Sequence, residues 1–408
     1  MMDGFRTTKD TDVVDSCSST LDFATADKIT LVWGVVVVFL DMCSDAILVY
    51  EHLVAGNTAY FGLTITFILL PSWIITWVSL RWYITESHDP QYKEYRMNPW
   101  GMVVCHVFQL AIAYRSFRSL SYGLRSQDTK RRPEQRRTYY QLMLWEDNDA
   151  SVLRLIEAFL EAVPQVLLQA YIINTSQQSQ STELVQKVSI AFGTLSAAWA
   201  VVSYARTVRL SRDDHLNLSW PATVVCFLWR LHVLMPRLTA LALFAACFEW
   251  ILFPLCICRW VLMFTWLACT LHVSQFPQRK DKLLFKAALA GIYVFCMVDL
   301  SPGSRRWRYT LFYSATFVEN SLLLGLWFFF MQVKPWYTTL ALVGSFCSFC
   351  VGIAFMVVYY AFMHPNATAV SRVADSTSQR PKRTSDSSNS QGGVNKEEIT
   401  HGYKETPV

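Results

Sequence analysis

The stretch RLIEAFLEAVPQVLLQAYII, Arg154 to Ile173, is apolar enough for a membrane. Yet Glu157, Glu161, Gln165 and Gln169 recur along it at every fourth position. Residues four apart share one face of a helix. A soluble amphipathic helix does not explain the stripe, because the faces away from it are apolar too. The pattern predicts a helix in hydrocarbon that turns polar groups toward other protein or toward a polar passage. Pro164 sits inside the stripe. Its missing N–H and its ring free the carbonyl of Leu160 and kink the helix, and another polar group must then satisfy that carbonyl.

The rest of the chain has the same character. Of 408 residues, 53% are hydrophobic and 16% charged, against about 25% charged in ordinary soluble domains. Mean hydropathy is +0.25. Apolar runs near the ~20 residues needed to span a bilayer recur along the chain, over residues 28–50, 58–82, 99–118, 150–173, 185–206, 219–246, 249–273, 284–300, 309–331 and 336–362. The fold class is an all-α polytopic membrane protein. The net charge of +5 gives no nucleic-acid signal, because the basic residues fall in short segments between apolar runs.

Those segments, KEYR, RSQDTKRRPEQRR, RTVRLSR, QRKDK and SRRWR, belong in the cytosol by the positive-inside rule. The third and eighth runs then have both flanks on one side, so each is expected to be re-entrant or partial. That leaves eight complete spans, both termini cytosolic, and a parallel internal repeat of residues 27–206 and 207–365. Residues 1–26 and 366–408 are polar and expected to be disordered. Most of the 11 cysteines lie in apolar runs and read as small hydrophobes. Cys347 and Cys350 form a CxxC with no second pair, so no metal site is expected.

Charged residues at bilayer depth cost about 2.5–3.5 kcal/mol each. Asp27, Asp41 and Asp45 fall on nearly one face of the first run, and Glu157 and Glu161 belong to the fourth. Arg115, Arg230, Arg237, Arg259 and Glu319 supply further charges. No H-E-x-x-H, G-x-S-x-G or Walker loop occurs, and no catalytic residue or cofactor is expected. The charges could lock the bundle, pass ions, or offer stepping stones to zwitterionic lipid headgroups.

FLDMCSD, RLIEAFLEAVPQVLLQAYI, FLWRLHVLMPRLTALALF and FVENSLLL together resemble the XK-related family, over about residues 27–365. That resemblance implies eight spanning and two partial helices. It also implies an ATP-independent phospholipid scramblase of the plasma membrane that exposes phosphatidylserine in apoptosis. Matched to the family, Asp27, Asp41, Asp45, Arg115, Glu157, Glu161, Arg237 and Glu319 would line a headgroup route. Gln165, Gln169 and Arg230 are read as extending it. Ser203 stands where some members carry an acid. Apoptotic members are cut by executioner caspases, and DVVDS fits such a site at Asp15, RVADS at Asp375. Other members would be non-scrambling partners of a lipid-transfer protein or a surface protease. An ion-coupled transporter is a third class, and a single-span accessory subunit is a further expected partner. Asn174 opens a glycosylation sequon, and the terminal ETPV, with Thr406 and Val408, suits a PDZ domain.

Overall fold

In hydrocarbon an apolar run can satisfy its backbone only along its own length, so helices are expected throughout. The computed structural model describes residues 23, 25–87, 103–105, 108, 110–175, 180–210, 218–271, 279–298, 305–331 and 335–363, and no strand occurs among them. The expected caspase sites, Asp15 and Asp375, and the C-terminal PDZ motif lie outside the described residues.

Helices α1 (Thr25–Val54) and α2 (Thr58–Ser87) are joined by a turn at Gly56, whose φ of 68° suits glycine. Then come α3 (Ala111–Ser126) and α4 (Pro133–Glu157), and a π turn (Ala158–Ala162) leads into α5 (Val163–Thr175). Helix α6 (Gln180–Leu210) follows, then α7 (Trp220–Phe248), α8 (Leu252–Thr270), α9 (Arg279–Phe295), α10 (Arg305–Phe330) and α11 (Thr338–Val358). A second π turn, Tyr359–Met363, extends α11.

The disturbance expected at Pro164 is a wide turn rather than a simple kink. The Val163 N–H bonds to the Ala158 carbonyl, five residues back. Pro164 then occupies the first turn of α5, where a missing N–H is tolerated. Two boundaries differ from expectation. The third run is helical at residues 103–105 and again over Ala111–Ser126, past the expected end at 118, and the fourth starts at Pro133 rather than 150. The second difference puts Glu146 and Asn148 into a helical face that is buried. Composition alone assigns such residues to loops.

Among the described residues, four stretches are long and apolar enough to cross a membrane: Thr58–Ile84, Glu183–Arg209, Trp220–Thr270 and Thr338–Met363. The third has 51 residues, about 76 Å as one helix, over twice the ~30 Å hydrocarbon core. It breaks at Glu249, where φ is 37°. Arg237 and Arg259, at similar distances from that break in sequence, both reach Glu319. Helices α7 and α8 therefore double back as a hairpin. Large apolar side chains stand exposed along α1 (Phe39, Ile47), α8 (Ile257, Leu262), α10 (Leu322, Phe329) and α11 (Leu340, Phe346). Apolar surface of that extent suits lipid, not water. The chain is a helical membrane protein.

Helix α7 is the hub, with α5, α6, α10 and α11 packed around it. Its approach to α11 depends on Gly352. A Cβ there would stand 2.7 Å from Val233 Cγ2 and 3.1 Å from the Val233 backbone nitrogen. Ser348 Oγ donates to the His232 carbonyl at 3.0 Å across the same contact. Gly352→Ala is expected to destabilise the protein by about 1–3 kcal/mol, measured by thermal unfolding in detergent. Gly325→Ala, which meets nothing within 4 Å, should be near neutral.

Candidate functional site

The polar stripe faces α1. A Cβ on Gly34 would lie 2.9 Å from Arg154 Nη2. Farther along, the Asp45 carboxyl comes into polar contact with Glu161 and Gln165. Next, Gln169 Nε2 lies 3.5 Å from His52 Nε2. The paired residue numbers rise together, so α1 and α4–α5 run in the same direction. From Gly34 to His52 the seam spans about 27 Å of helix, close to the thickness of a hydrocarbon core.

The seam is buried but not satisfied. Asp45, His52, Glu161, Gln165 and Gln169 are all buried, while Gln165 Nε2 and Gln169 Oε1 have no hydrogen-bond partner. Close packing of α1 is against α2 and α3, and its far face carries exposed apolar side chains. It lies beside the bundle with the polar seam beneath it.

The remaining expected residues fall into separate places. Asp27, in the first turn of α1, pairs with Arg206 of α6 at 2.9 Å, and the Arg206 guanidinium lies 4.2 Å above the Trp220 ring. Asp41 is one turn before Asp45, but its side chain lies outside the described residues. Glu157 ends α4, half-buried.

Arg115 belongs to a different arrangement, a closed knot. It is 2% exposed. Its Nε donates to Ser79 Oγ at 3.0 Å, Nη2 to the Ser79 carbonyl at 3.1 Å, and Nη1 to Glu146 and Asp149 at 3.2 and 2.9 Å. Arg118 holds the other Glu146 oxygen at 2.8 Å. The knot ties α2, α3 and α4 together.

A second knot joins the α7–α8 hairpin to α10. Glu319 is bound by Arg237 at 3.0 Å and Arg259 at 2.5 Å, and its side chain is 34% exposed. Arg237 also donates to Asn320 Oδ1 at 3.1 Å and to the Val294 carbonyl at 3.2–3.3 Å. Arg230, one face along α7, donates to the Met297 carbonyl at 2.7 Å. Val294 lies in the last turn of α9 and Met297 just beyond its end, so two arginines sit against the carbonyl end of that helix, favourable for hydrogen bonding and for the helix dipole. Pairing of 230 with 309 and 313, and of 237 with 319, makes α7 and α10 parallel, as α1 and α4–α5 are.

With this arrangement in view, a family model described as XK-related protein matches residues 29–365. The chain belongs to the XK-related family. The matched span of this XK-related chain includes every expected route residue except Asp27.

Several residues of these clusters were not singled out in the sequence: Glu146, Asp149, Arg118, Arg154, Arg206, Asn320 and His52. Their signal was weak but present, since Arg115 and Arg118 are one turn apart and Glu146, Asp147 and Asp149 crowd the run that follows. Asn174, the expected glycan acceptor, lies in the last turn of α5. Its Nδ2 donates to the Ala170 carbonyl at 2.6 Å and its Oδ1 accepts from the Tyr337 hydroxyl. Attaching a glycan requires that nitrogen to be released. Among the described residues no group of three His, Cys, Asp or Glu could hold a metal ion, and the ten described cysteines are free thiols.

Truncating Arg115 would leave Glu146 and Asp149 against low dielectric, short of a partner. Arg115→Ala is expected to lose about 3–5 kcal/mol, read as a fall in folded yield and unfolding temperature. Arg115→Lys should recover little of it, because one ammonium cannot reach Ser79, Glu146 and Asp149 together.

Proposed function

We propose that this XK-related chain is an ATP-independent phospholipid scramblase. In this reading it crosses the plasma membrane eight times, with α3 and α9 as partial helices, two halves built alike and both termini cytosolic. Headgroups move along the seam between α1 and α4–α5, past Asp27, Asp41, Asp45, Glu157, Glu161, Gln165 and Gln169, with Arg237 and Glu319 serving the second half. The acyl chains stay in lipid. Executioner caspases release the activity by cutting after Asp15 or Asp375, and phosphatidylserine reaches the outer surface.

One observation carries this reading: Gln165 Nε2 and Gln169 Oε1 are buried in the seam without a hydrogen-bond partner. An unpaired amide away from water costs on the order of 1–3 kcal/mol. A zwitterionic headgroup, with its hydration water, brings donors and acceptors of both signs to Gln165, Gln169 and the carboxyls. The parallel course of α1 and α4–α5 makes the polar track long enough for headgroup transit. The positive-inside rule supports the topology.

A scaffold that partners another membrane protein is the second reading, and the closed Arg115 knot favours it. The two differ in the effect of neutralising the seam. The protein is reconstituted in liposomes with a head-labelled phosphatidylserine, and loss of inner-leaflet label to an external quencher is followed with and without caspase. Caspase is expected to switch transfer on without ATP. Asp45→Asn and Glu161→Gln should each slow it about tenfold, equivalent to ~1.4 kcal/mol in barrier. Asp15→Ala with Asp375→Ala should hold it off. Absence of transfer by folded protein in both states would sink the proposal, and full transfer by the neutralised variants would remove the seam from it.

A further inference from the structure

Arg230 is 5% exposed, and its hydrogen-bond partners are all neutral. Nη1 donates to the Met297 carbonyl at 2.7 Å, the Tyr313 hydroxyl at 3.2 Å and Cys296 Sγ at 3.6 Å, and Nη2 donates to the Tyr309 hydroxyl at 3.2 Å. The guanidinium lies 4.0 Å above the Trp229 ring. Among the described residues, Arg230 forms no ion pair with a carboxylate. The end of α9 offers only about half a negative charge, and Arg237 draws on the same end.

The surroundings add donors rather than acceptors. Arg230 Nε and Trp229 Nε1 are buried without a hydrogen-bond partner, and Trp229 is 1% exposed. The Tyr313 oxygen accepts from Arg230, and no acceptor for its own proton occurs among the described residues. The π turn after α11 lets the successive Tyr359 and Tyr360 both meet Trp229, with ring centroids 6.0 and 5.9 Å away. Such turns are frequent at functional sites.

We infer that Trp229, Arg230, Tyr309 and Tyr313 form an anion site for a phosphate group, placed where the starts of α7 and α10 meet the end of α11. Phosphate matches the inventory. Its oxygens accept from Nε–H, the indole N–H and the tyrosyl O–H together, and its charge offsets the guanidinium. The aromatic walls exclude competing water. A free phosphate and the phosphodiester of a lipid headgroup share this chemistry, and the site stands whether or not headgroups travel along the α1 seam.

Binding is read from the unfolding temperature of the full-length protein in detergent. Inorganic phosphate is titrated against chloride at matched ionic strength, and a water-soluble short-chain phosphatidic acid is titrated in parallel. At least one is expected to raise the unfolding temperature saturably. A response to both marks a site open to free anions, and a response to the short-chain lipid alone marks a headgroup site. Trp229→Phe keeps the ring and removes one donor, so it should weaken apparent affinity about tenfold. Arg230→Gln should abolish the response, and Trp250→Phe, at an exposed tryptophan, should leave it intact. If Arg230→Gln does not fold, the Trp229→Phe titration decides. No saturable shift with either probe, or an unchanged affinity in Trp229→Phe, overturns the inference.

Discussion

A charge or amide held away from water must find a partner, and the rest of this structure depends on how each polar group meets that demand. Arg115 meets it completely, with a hydroxyl, a carbonyl and two carboxylates around one guanidinium. Arg237 meets it through one carboxylate, one amide oxygen and the open carbonyl end of α9. These contacts fix where two shorter helices stop. Without Arg115, nothing would hold the polar face of α3 inside the bundle. Without Arg230 and Arg237, α9 would end on bare carbonyls among apolar side chains.

The same constraint separates the locks from the candidate route. A lock has its hydrogen bonds spent, so a passing molecule has nothing to gain there. The seam beneath α1 has buried amide atoms unspent at Gln165 and Gln169, beside the Asp45 and Glu161 carboxyls. It lies under a helix whose own close packing is to α2 and α3. Along the seam such a helix can shift against α5 by exchanging one set of polar contacts for another. The π turn contributes as well, because it widens the backbone where the stripe crosses it.

Much of this was legible in the sequence, and the part that was not shares a physical cause. Apolar runs announced the helices, and the four-residue spacing from Glu157 to Gln169 announced one wall of the seam. Pro164 announced a break but not its form, because either a kink or a π turn accommodates the missing N–H. The start of α4 was misplaced, since a helix whose buried face carries Glu146 looks like a loop until the partners are known. Those partners, Arg115 and Arg118, belong to the helix before it. Periodicity finds a polar face; it does not say which distant face answers it. The aromatic cage around Arg230 was hidden for the same reason, as its tyrosines come from α10 and from beyond the end of α11.

Stability and function then bear on different residues of one bundle. An unsatisfied seam is tolerable only if the surrounding helices are pinned elsewhere, because each unpaired buried amide works against folding by an amount comparable to a good hydrogen bond. The pins are where the chain is most completely paired: the Arg115 knot across α2, α3 and α4, the Glu319 knot across α7, α8 and α10, and the glycine contact of α7 with α11. They clamp the helices on the far side of the seam and leave α1 held by α2, α3 and the Asp27–Arg206 pair. A bundle that met every polar demand would be more stable and would leave a headgroup no reason to enter.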